Sequence, residues 1–209
     1  MPITGVNSSF YAKYSVDEDT GLPEYSGGGT FARMTNVDFQ ATSNESELYS
    51  DDGLEEADYS FASGNLKVDV SDLVDGVVSD ITGAKVTEIK SGNETVSEIV
   101  YDDDQEDREL GFGFVIEKKK KGVFSFRAIV LPRIKFKIPG DAVATRGKTL
   151  AFQTKSVEAV VHRDHSEKRA WKREATFATK QAAISYIKGL LGIAEAASVA
   201  EEGAGDGNS

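Results

Sequence analysis

Residues 110–138 read LGFGFVIEKKKKGVFSFRAIVLPRIKFKI, and this stretch carries the clearest structural pattern in the sequence. Apolar residues occupy its even positions before the four consecutive lysines, and the same parity resumes after them. A period of two is typical of β-strands, because successive side chains point to opposite faces of a sheet. The stretch therefore predicts a long hairpin, with its turn at 118–122 and Gly122 supplying the permissive backbone.

The second strand of this hairpin is predicted to have one apolar face and one cationic face. Arg133, Lys135 and Lys137 occupy odd positions between apolar residues at even positions. We therefore expect the even positions to face a core and the cations to face outwards. Pro132 interrupts the pattern and predicts an edge position or a β-bulge, since proline has no N–H to donate to a ladder.

Similar runs elsewhere predict about seven strands in total. Further strands are expected at 31–40, 59–70, 85–90, 96–101, 149–163 and 169–177. The apolar parity changes between Phe152 and Val157, which predicts a bulge or bend there.

Two stretches predict helices. Residues 71–83 have Ser71 or Asp72 as the candidate N-cap and stop at Gly83. Residues 179–192 begin with Thr179 as N-cap and end with Gly192 as C-cap. The apolar stripe of this second helix consists of Ala183, Ile187, Leu190 and Leu191.

These elements predict a β-rich α+β fold: two packed antiparallel β-sheets, in a sandwich or partial barrel, with a flanking α-helix and a C-terminal helix. We expect one domain at 1–193, which includes a long acidic loop at 42–60. Residues 194–209 are small, acidic and Gly-rich. Such a tail cannot bury enough apolar surface to offset its ordering entropy by itself.

The composition excludes several classes of function. The chain has a formal net charge of −11 and no cysteine, so it has no disulfide framework, thiolate nucleophile or cysteine-ligated metal. The acidic balance weighs against binding nucleic acid with the whole surface, since such binding depends on Lys and Arg displacing counterions from phosphates. The N-terminal residues do not resemble a signal peptide, and no apolar run approaches the ~20 residues that span a bilayer.

Charge is segregated along the chain. Eight acids and no Lys or Arg occur between Met34 and Leu66, whereas cations concentrate at 118–137. Phenylalanines interleaved with these cations are one possible pattern of a stacking platform for bases, but that role needs both residue types on one face. Their parity is opposite to that of Arg133 and its neighbours, which predicts that the phenylalanines lie in the core.

The sequence HRDHS contains both histidines of the chain. His162, Asp164 and His165 are the types of residue that bind zinc or act as acid and base. The alternative interpretation is a polar turn between two strands, and this interpretation is the one we favour. We expect no catalytic residue, metal or cofactor.

The order of several motifs resembles a known family. The motifs are FYAKYSVDEDTGLPEYSGG at 10–28, ELYSDDG at 47–53, GFGFV at 111–115, FRAIVLP at 126–132, TRGKTLAFQT at 145–154 and WKREATF at 171–177. In this order, across residues 10–191, the chain resembles the major tail tube proteins of long-tailed siphophages, in the family most familiar from phages of Gram-positive bacteria.

The resemblance implies a structural protein of the virion, assembled in the cytoplasm of a bacterial host. Six copies would form a ring with a β-lined channel, and rings would stack around a tape measure protein, between a tail terminator and distal tail or baseplate proteins. Double-stranded DNA would pass through without specific binding. The resemblance implies neither catalysis nor a cofactor.

Segregated charge then predicts contacts between copies. We expect the acidic loop and the lysine tip to meet across subunit or ring boundaries and to steer copies into register. The acidic residues are Glu45, Glu47, Asp51, Asp52, Glu55 and Glu56. The lysine tip consists of Lys118, Lys119, Lys120 and Lys121.

Two other functions remain open. The first alternative is a monomeric β-sandwich that serves as a binding or adhesion module of a virion or cell surface, for which an exposed aromatic cluster would be the signature. The only tryptophan, Trp171, alternates with Ala175 and Phe177, which favours burial. The second alternative is a metal-dependent hydrolase built on His162, Asp164 and His165.

Overall fold

The computed structural model describes residues 3–44, 46–50, 53–58, 60–103, 105–106, 108–140 and 154–194. Within these ranges the chain forms twelve strands and two helices. The strands are β1 (Ile3–Val16), β2 (Pro23–Thr30), β3 (Met34–Ser43), β4 (Ser46–Ser50), β5 (Gly53–Asp58), β6 (Phe61–Val70), β7 (Lys85–Ser91), β8 (Glu94–Val100), β9 (Leu110–Lys120), β10 (Val123–Phe136), β11 (Lys155–His162) and β12 (Arg173–Phe177). The helices are α1 (Asp75–Thr82) and α2 (Lys180–Leu190).

Eight strands form one antiparallel sheet in the order β2-β1-β9-β10-β11-β6-β3, with β12 also paired to β10. The sheet bends so that its two halves face each other across one core. Tyr11 and Phe112 enter this core from one half, and Leu66 and Val157 enter it from the other. The predicted β-rich α+β fold with two antiparallel layers is therefore confirmed, and the two layers are halves of one continuous sheet.

Two short hairpins lie outside this sheet. β4 pairs with β5, and β7 pairs with β8, each as a separate two-stranded antiparallel sheet. The predicted acidic loop at 42–60 therefore contains the end of β3 and the whole β4–β5 hairpin.

The predicted long hairpin is confirmed as β9–β10, but its turn is shorter than the predicted 118–122, because residues 118–120 still pair as part of β9. Its strands pair from Lys120 and Val123 inwards, and the two-residue turn has φ values of 50° at Lys121 and 82° at Gly122. Positive φ at both central residues is typical of the type I′ turn that joins twisted antiparallel strands.

The prediction of a single apolar face along β10 is wrong, because this strand is covered on both faces. Ala128 and Val130 pack in a second cluster with α2, whereas Ile129 and Leu131 face the main core. The predicted bulge at Pro132 is confirmed by a register shift between Leu131 and Ile134. This shift moves the following even positions into the main core, which explains why the parity looks continuous in the sequence.

Glycines in β9 allow α2 to lie close to the outer face of the sheet. A Cβ atom at Gly113 would lie 2.5 Å from Ile187 Cγ2, and one at Gly111 would lie 2.5 Å from Leu191 Cδ2. Alternation of glycine and phenylalanine in GFGFV therefore has a physical cause. The phenylalanines fill the main core, and the glycines leave room for the helix.

We predict that Gly113→Ala lowers the free energy of unfolding by about 1–3 kcal/mol, because its methyl group would overpack the contact with Ile187. Gly189→Ala is the matched control, since a Cβ at Gly189 in α2 meets nothing within 4 Å. The control should raise stability by about 0.5–1 kcal/mol, because alanine favours the helix. Urea unfolding of both variants measures the difference, and shifts of the same sign would contradict this account.

The helix ends differ in how closely they follow the prediction. Thr179 caps α2 by accepting a hydrogen bond from the Ala182 N–H at 3.3 Å, as predicted, and Gly192 follows the helix with φ of 61°. α1 begins later than predicted, at Asp75, and its N-cap residue Val74 makes no side-chain capping bond. Its predicted end at Gly83 is confirmed by the left-handed conformation there.

Several predicted strands differ at their starts: β3 begins at Met34 and β8 at Glu94, against predicted starts at 31 and 96. β12 begins at Arg173, because the preceding residues form a turn in which the Asp164 N–H donates to the Ala170 carbonyl. β11 is described from Lys155, so the predicted start at 149 and the expected bulge near Phe152 lie outside the described residues.

Candidate functional site

The lysine tip ends β9–β10, which is the longest hairpin among the described residues. Lys118, Lys119 and Lys120 are the last residues of β9, and Lys121 is the first residue of the turn. β1 accompanies β9 as far as Lys118, which pairs with Ile3. Lys119, Lys120 and Lys121 are exposed, and Lys118 is half-buried.

Local contacts leave most of the charge of the tip unneutralised. Lys119 Nζ lies 4.6 Å from the centre of the Phe124 ring, in a cation–π contact. The Phe124 side chain is 44% exposed, so the prediction that the phenylalanines of this stretch lie in the core is wrong at this position. Partial burial, together with repulsion from Arg127, lowers the pKa of Lys118. None of the ion pairs observed among the described residues includes Lys119, Lys120 or Lys121. Glu174 on β12 instead binds Arg127 and Lys172, at 3.6 and 3.3 Å.

Cations further along β10 have partners within the chain. Arg133 donates two hydrogen bonds to the Glu109 carboxylate, at 2.7 and 2.5 Å, and a third to the Arg163 carbonyl. These bonds to Glu109 raise the pKa of Arg133. Lys137 Nζ binds Glu158 at 2.8 Å. The cations of this hairpin thus fall into two groups. Arg133 and Lys137 are neutralised by carboxylates of the same chain, whereas the lysine tip has no such partner for most of its charge among the described residues.

The acidic residues predicted as partners of the tip are only partly described. Glu47 lies in β4, and Glu55 and Glu56 lie in β5. Glu45, Asp51 and Asp52 lie outside the described residues. No described ladder joins this hairpin to β9 or β10, so the expected contact between acidic loop and lysine tip remains a prediction about different copies.

The HRDHS residues occupy three separate environments. Burial lowers the pKa of His162, at the end of β11. Asp164 is buried, and its Oδ1 accepts hydrogen bonds from the Ser166 N–H and Oγ–H at 3.2 and 2.6 Å. His165 Nδ1 lies 2.7 Å from the hydroxyl oxygen of Tyr14. The Asp164–Ser166 bonds and the backbone bonds from Asp164 N–H to the Ala170 carbonyl and from Arg169 N–H to the Ser166 carbonyl are those of a polar turn. Across the described ranges, no group of three or more His, Asp or Glu residues could hold a metal ion.

Sequence reasoning missed an opening in the curved sheet, which we call the seam. The seam lies between β3 and the first residues of β1, and two cavities of about 560 and 720 Å³ occupy it. Within the described residues, β3 pairs only with β6, and residues 3–7 of β1 pair only with β9. In the described part of the chain, each of these strand edges at the seam therefore lacks a strand that is hydrogen-bonded to it.

In the part of the chain that the structure describes, no helix is long and apolar enough to cross a membrane. Neither a scan against protein-family models nor a search of the curated proteins finds a match for this chain.

Proposed function

We propose that this chain is the major tail tube subunit of a long-tailed bacteriophage. Six copies form a ring, and stacked rings form the conduit through which double-stranded DNA leaves the capsid. The observation that carries the proposal is the seam, where two strand edges lack a hydrogen-bonded strand in the described chain. Open edges favour pairing with another chain, and a closed ring satisfies them without unlimited aggregation.

The charge distribution supports the same proposal. An acidic subunit suits a channel for DNA, because a wall that attracted phosphates would retard the passing duplex. Lys119, Lys120 and Lys121 have no carboxylate partner among the described residues, whereas Arg133 and Lys137 are paired within the chain. We therefore assign the lysine tip to carboxylates of neighbouring copies.

The proposed partners follow from a tube inside a virion. They are further copies of this chain, the tape measure protein in the channel, and the terminator and distal tail proteins at the two ends. The subunit is assembled in the host cytoplasm and resides in the phage tail. The proposed role involves no catalysis and no cofactor.

Aromatic exposure also weighs against the alternative of a binding module. Trp171 stacks on Phe61, with ring centres 4.3 Å apart and planes inclined by 3°. Its ring also stacks on Phe39, at 5.9 Å. An indole placed between two phenylalanines of the protein has little free face for a ligand.

Negative-stain electron microscopy of the concentrated protein tests the proposal. We expect tubes of constant diameter with a central channel and six-fold end views. Some subunits polymerise only on an initiator complex, so a second experiment is needed. It is mass spectrometry of purified phage tails from cells that produce this chain. Monomers at every concentration, together with tails that lack the chain, would overturn the proposed function.

A further inference from the structure

The seam has the form of a site for an added strand. Pairing between β1 and β2 starts at Phe10, and pairing between β1 and β9 continues to Ile3. The first residues of β1 therefore have a ladder on one side only, and β3 faces them across the gap with its own ladder directed to β6. Backbone N–H and C=O groups on such edges are available to an incoming strand.

The lining of the seam is mainly apolar. Val6 and Val37 line its sides, and the half-buried Ile116 and the buried Ile129 lie at its base. Asp38 and Lys172 provide one carboxylate and one cation at the same cavity. An occupant that offers both apolar side chains and charges of both signs would therefore be complementary to the seam.

The β7–β8 hairpin has the complementary properties. Its strands pair only with each other among the described residues, and most of its side chains are exposed. Ile89 and Val96 are cross-strand partners, 40% and 38% exposed. Lys90 and Glu94 add one cation and one carboxylate near the turn. An isolated two-stranded hairpin is only marginally stable in water, so this one is expected to gain from a partner.

Seven residues in each strand give the hairpin a length of about 23 Å. We propose that the β7–β8 hairpin of one copy lies in the seam of a second copy, adding a strand to its sheet and placing Ile89 and Val96 on the apolar lining. This inference rests on the proposed function and specifies one contact that holds the tube together.

Such a contact joins two different surfaces, so each copy is a donor at one side and an acceptor at the other. Contacts of this head-to-tail type generate closed rings or open helical arrays, as a tube requires. The added strand would also pair with one of the two strand edges at the seam.

Cross-linking between introduced cysteines tests this contact. The natural chain contains no cysteine, so a thiol-specific reagent reacts only at the introduced positions. Ile89→Cys and Asp38→Cys are combined in one chain, tubes are formed, and a short bis-maleimide is added. A ladder of covalent oligomers on a denaturing gel is the expected result. The matched control replaces Asp38→Cys with Lys168→Cys, at an exposed position outside the seam, and should give no ladder.

The outcomes separate the two proposals. Tubes that form without a ladder above the control would overturn the seam contact and leave the proposed function standing. Monomers that neither assemble nor cross-link at any concentration would overturn the seam contact and count against the tube as well. Mixing the two single-cysteine chains checks that the link is intermolecular, since only a contact between copies gives a heterodimer.

A second measurement tests the contact even if the cysteine variants do not assemble. Ile89→Asp with Val96→Asp places charges on the apolar pair and should raise the protein concentration needed for assembly by at least about tenfold. Because these side chains are exposed in the single chain, its unfolding midpoint should change little. Assembly at the unaltered concentration would contradict the proposed contact.

Discussion

Replacing Trp171 with alanine is expected to lower the free energy of unfolding by about 3 kcal/mol. The indole lies between Phe61 of β6 and Phe39 of β3, at ring distances of 4.3 and 5.9 Å. It thus connects the segment before β12 to two neighbouring strands of the sheet. Removing it leaves a cavity between two aromatic rings, and the cost lies at the lower end for buried tryptophan because this side chain is only half-buried.

Urea unfolding followed by circular dichroism measures this change. The slope of the free energy of unfolding against urea concentration should stay the same, which would show that the folded and unfolded states keep their compactness. Trp171→Phe is the control, since it retains a stacking ring and should cost less than about 1.5 kcal/mol. A loss below about 1 kcal/mol for Trp171→Ala would show that the stack contributes little to stability.

Changing all four residues of the lysine tip to glutamate is expected to abolish tube formation and leave the isolated fold intact. The substitutions reverse the charge of the tip from +4 to −4, so each contact with a carboxylate becomes a repulsion. One exposed ion pair contributes only about 0–1 kcal/mol, and the large effect arises because the contact repeats around every ring.

Electron microscopy and sedimentation measure assembly, and thermal unfolding checks the fold. Lys120→Glu with Lys121→Glu should weaken assembly in part, whereas the control with Lys168→Glu and Lys180→Glu makes the same charge change at exposed positions elsewhere and should assemble normally. Added salt should weaken the assembly of the unaltered protein. Normal tubes from the four-glutamate variant would exclude the proposed role of the tip.

Local patterns predicted the parts of the fold that local forces determine. The β9–β10 hairpin, the cap at Thr179 and the stop at Gly83 each depend on residues close together in the chain. The parity of β10 was misinterpreted because Pro132 shifts the register inside a strand that is covered on both faces. In a strand that is buried on both faces, the sequence shows no polar face, so the pattern does not indicate which side chains point into which core.

Features that depend on strand order were not predictable in this way. β1 was missed because two irregularities, one of them near Ser8 with φ of 53°, interrupt its alternation. The role of Gly111 and Gly113 depends on a helix about 70 residues later in the chain. The seam lies where β1 and β3, in the described part of the chain, are not paired with each other. No short stretch of sequence indicates that two distant strands remain unpaired.

The candidate site was predicted in part. Four consecutive lysines suggested a contact surface, and the structure places them at the end of a hairpin with three lysines unpaired among the described residues. The sequence alone did not separate these lysines from Arg133 and Lys137, whose carboxylate partners lie 24 and 21 residues away along the chain. Pairing at that distance depends on the register of the folded sheet.

The pairing of β1 with β9 also imposes a delay on the assembly of the large sheet during translation. Lys13 pairs with Leu110 and Ile3 with Lys118, so about 100 residues separate the partners. At synthesis rates of about 5–20 residues per second, the ribosome needs roughly 5–20 s to deliver the second strand after the first. Until then β1 can pair with β2 but not with β9, so one of its two ladders cannot start to form before more than half of the polypeptide has been made.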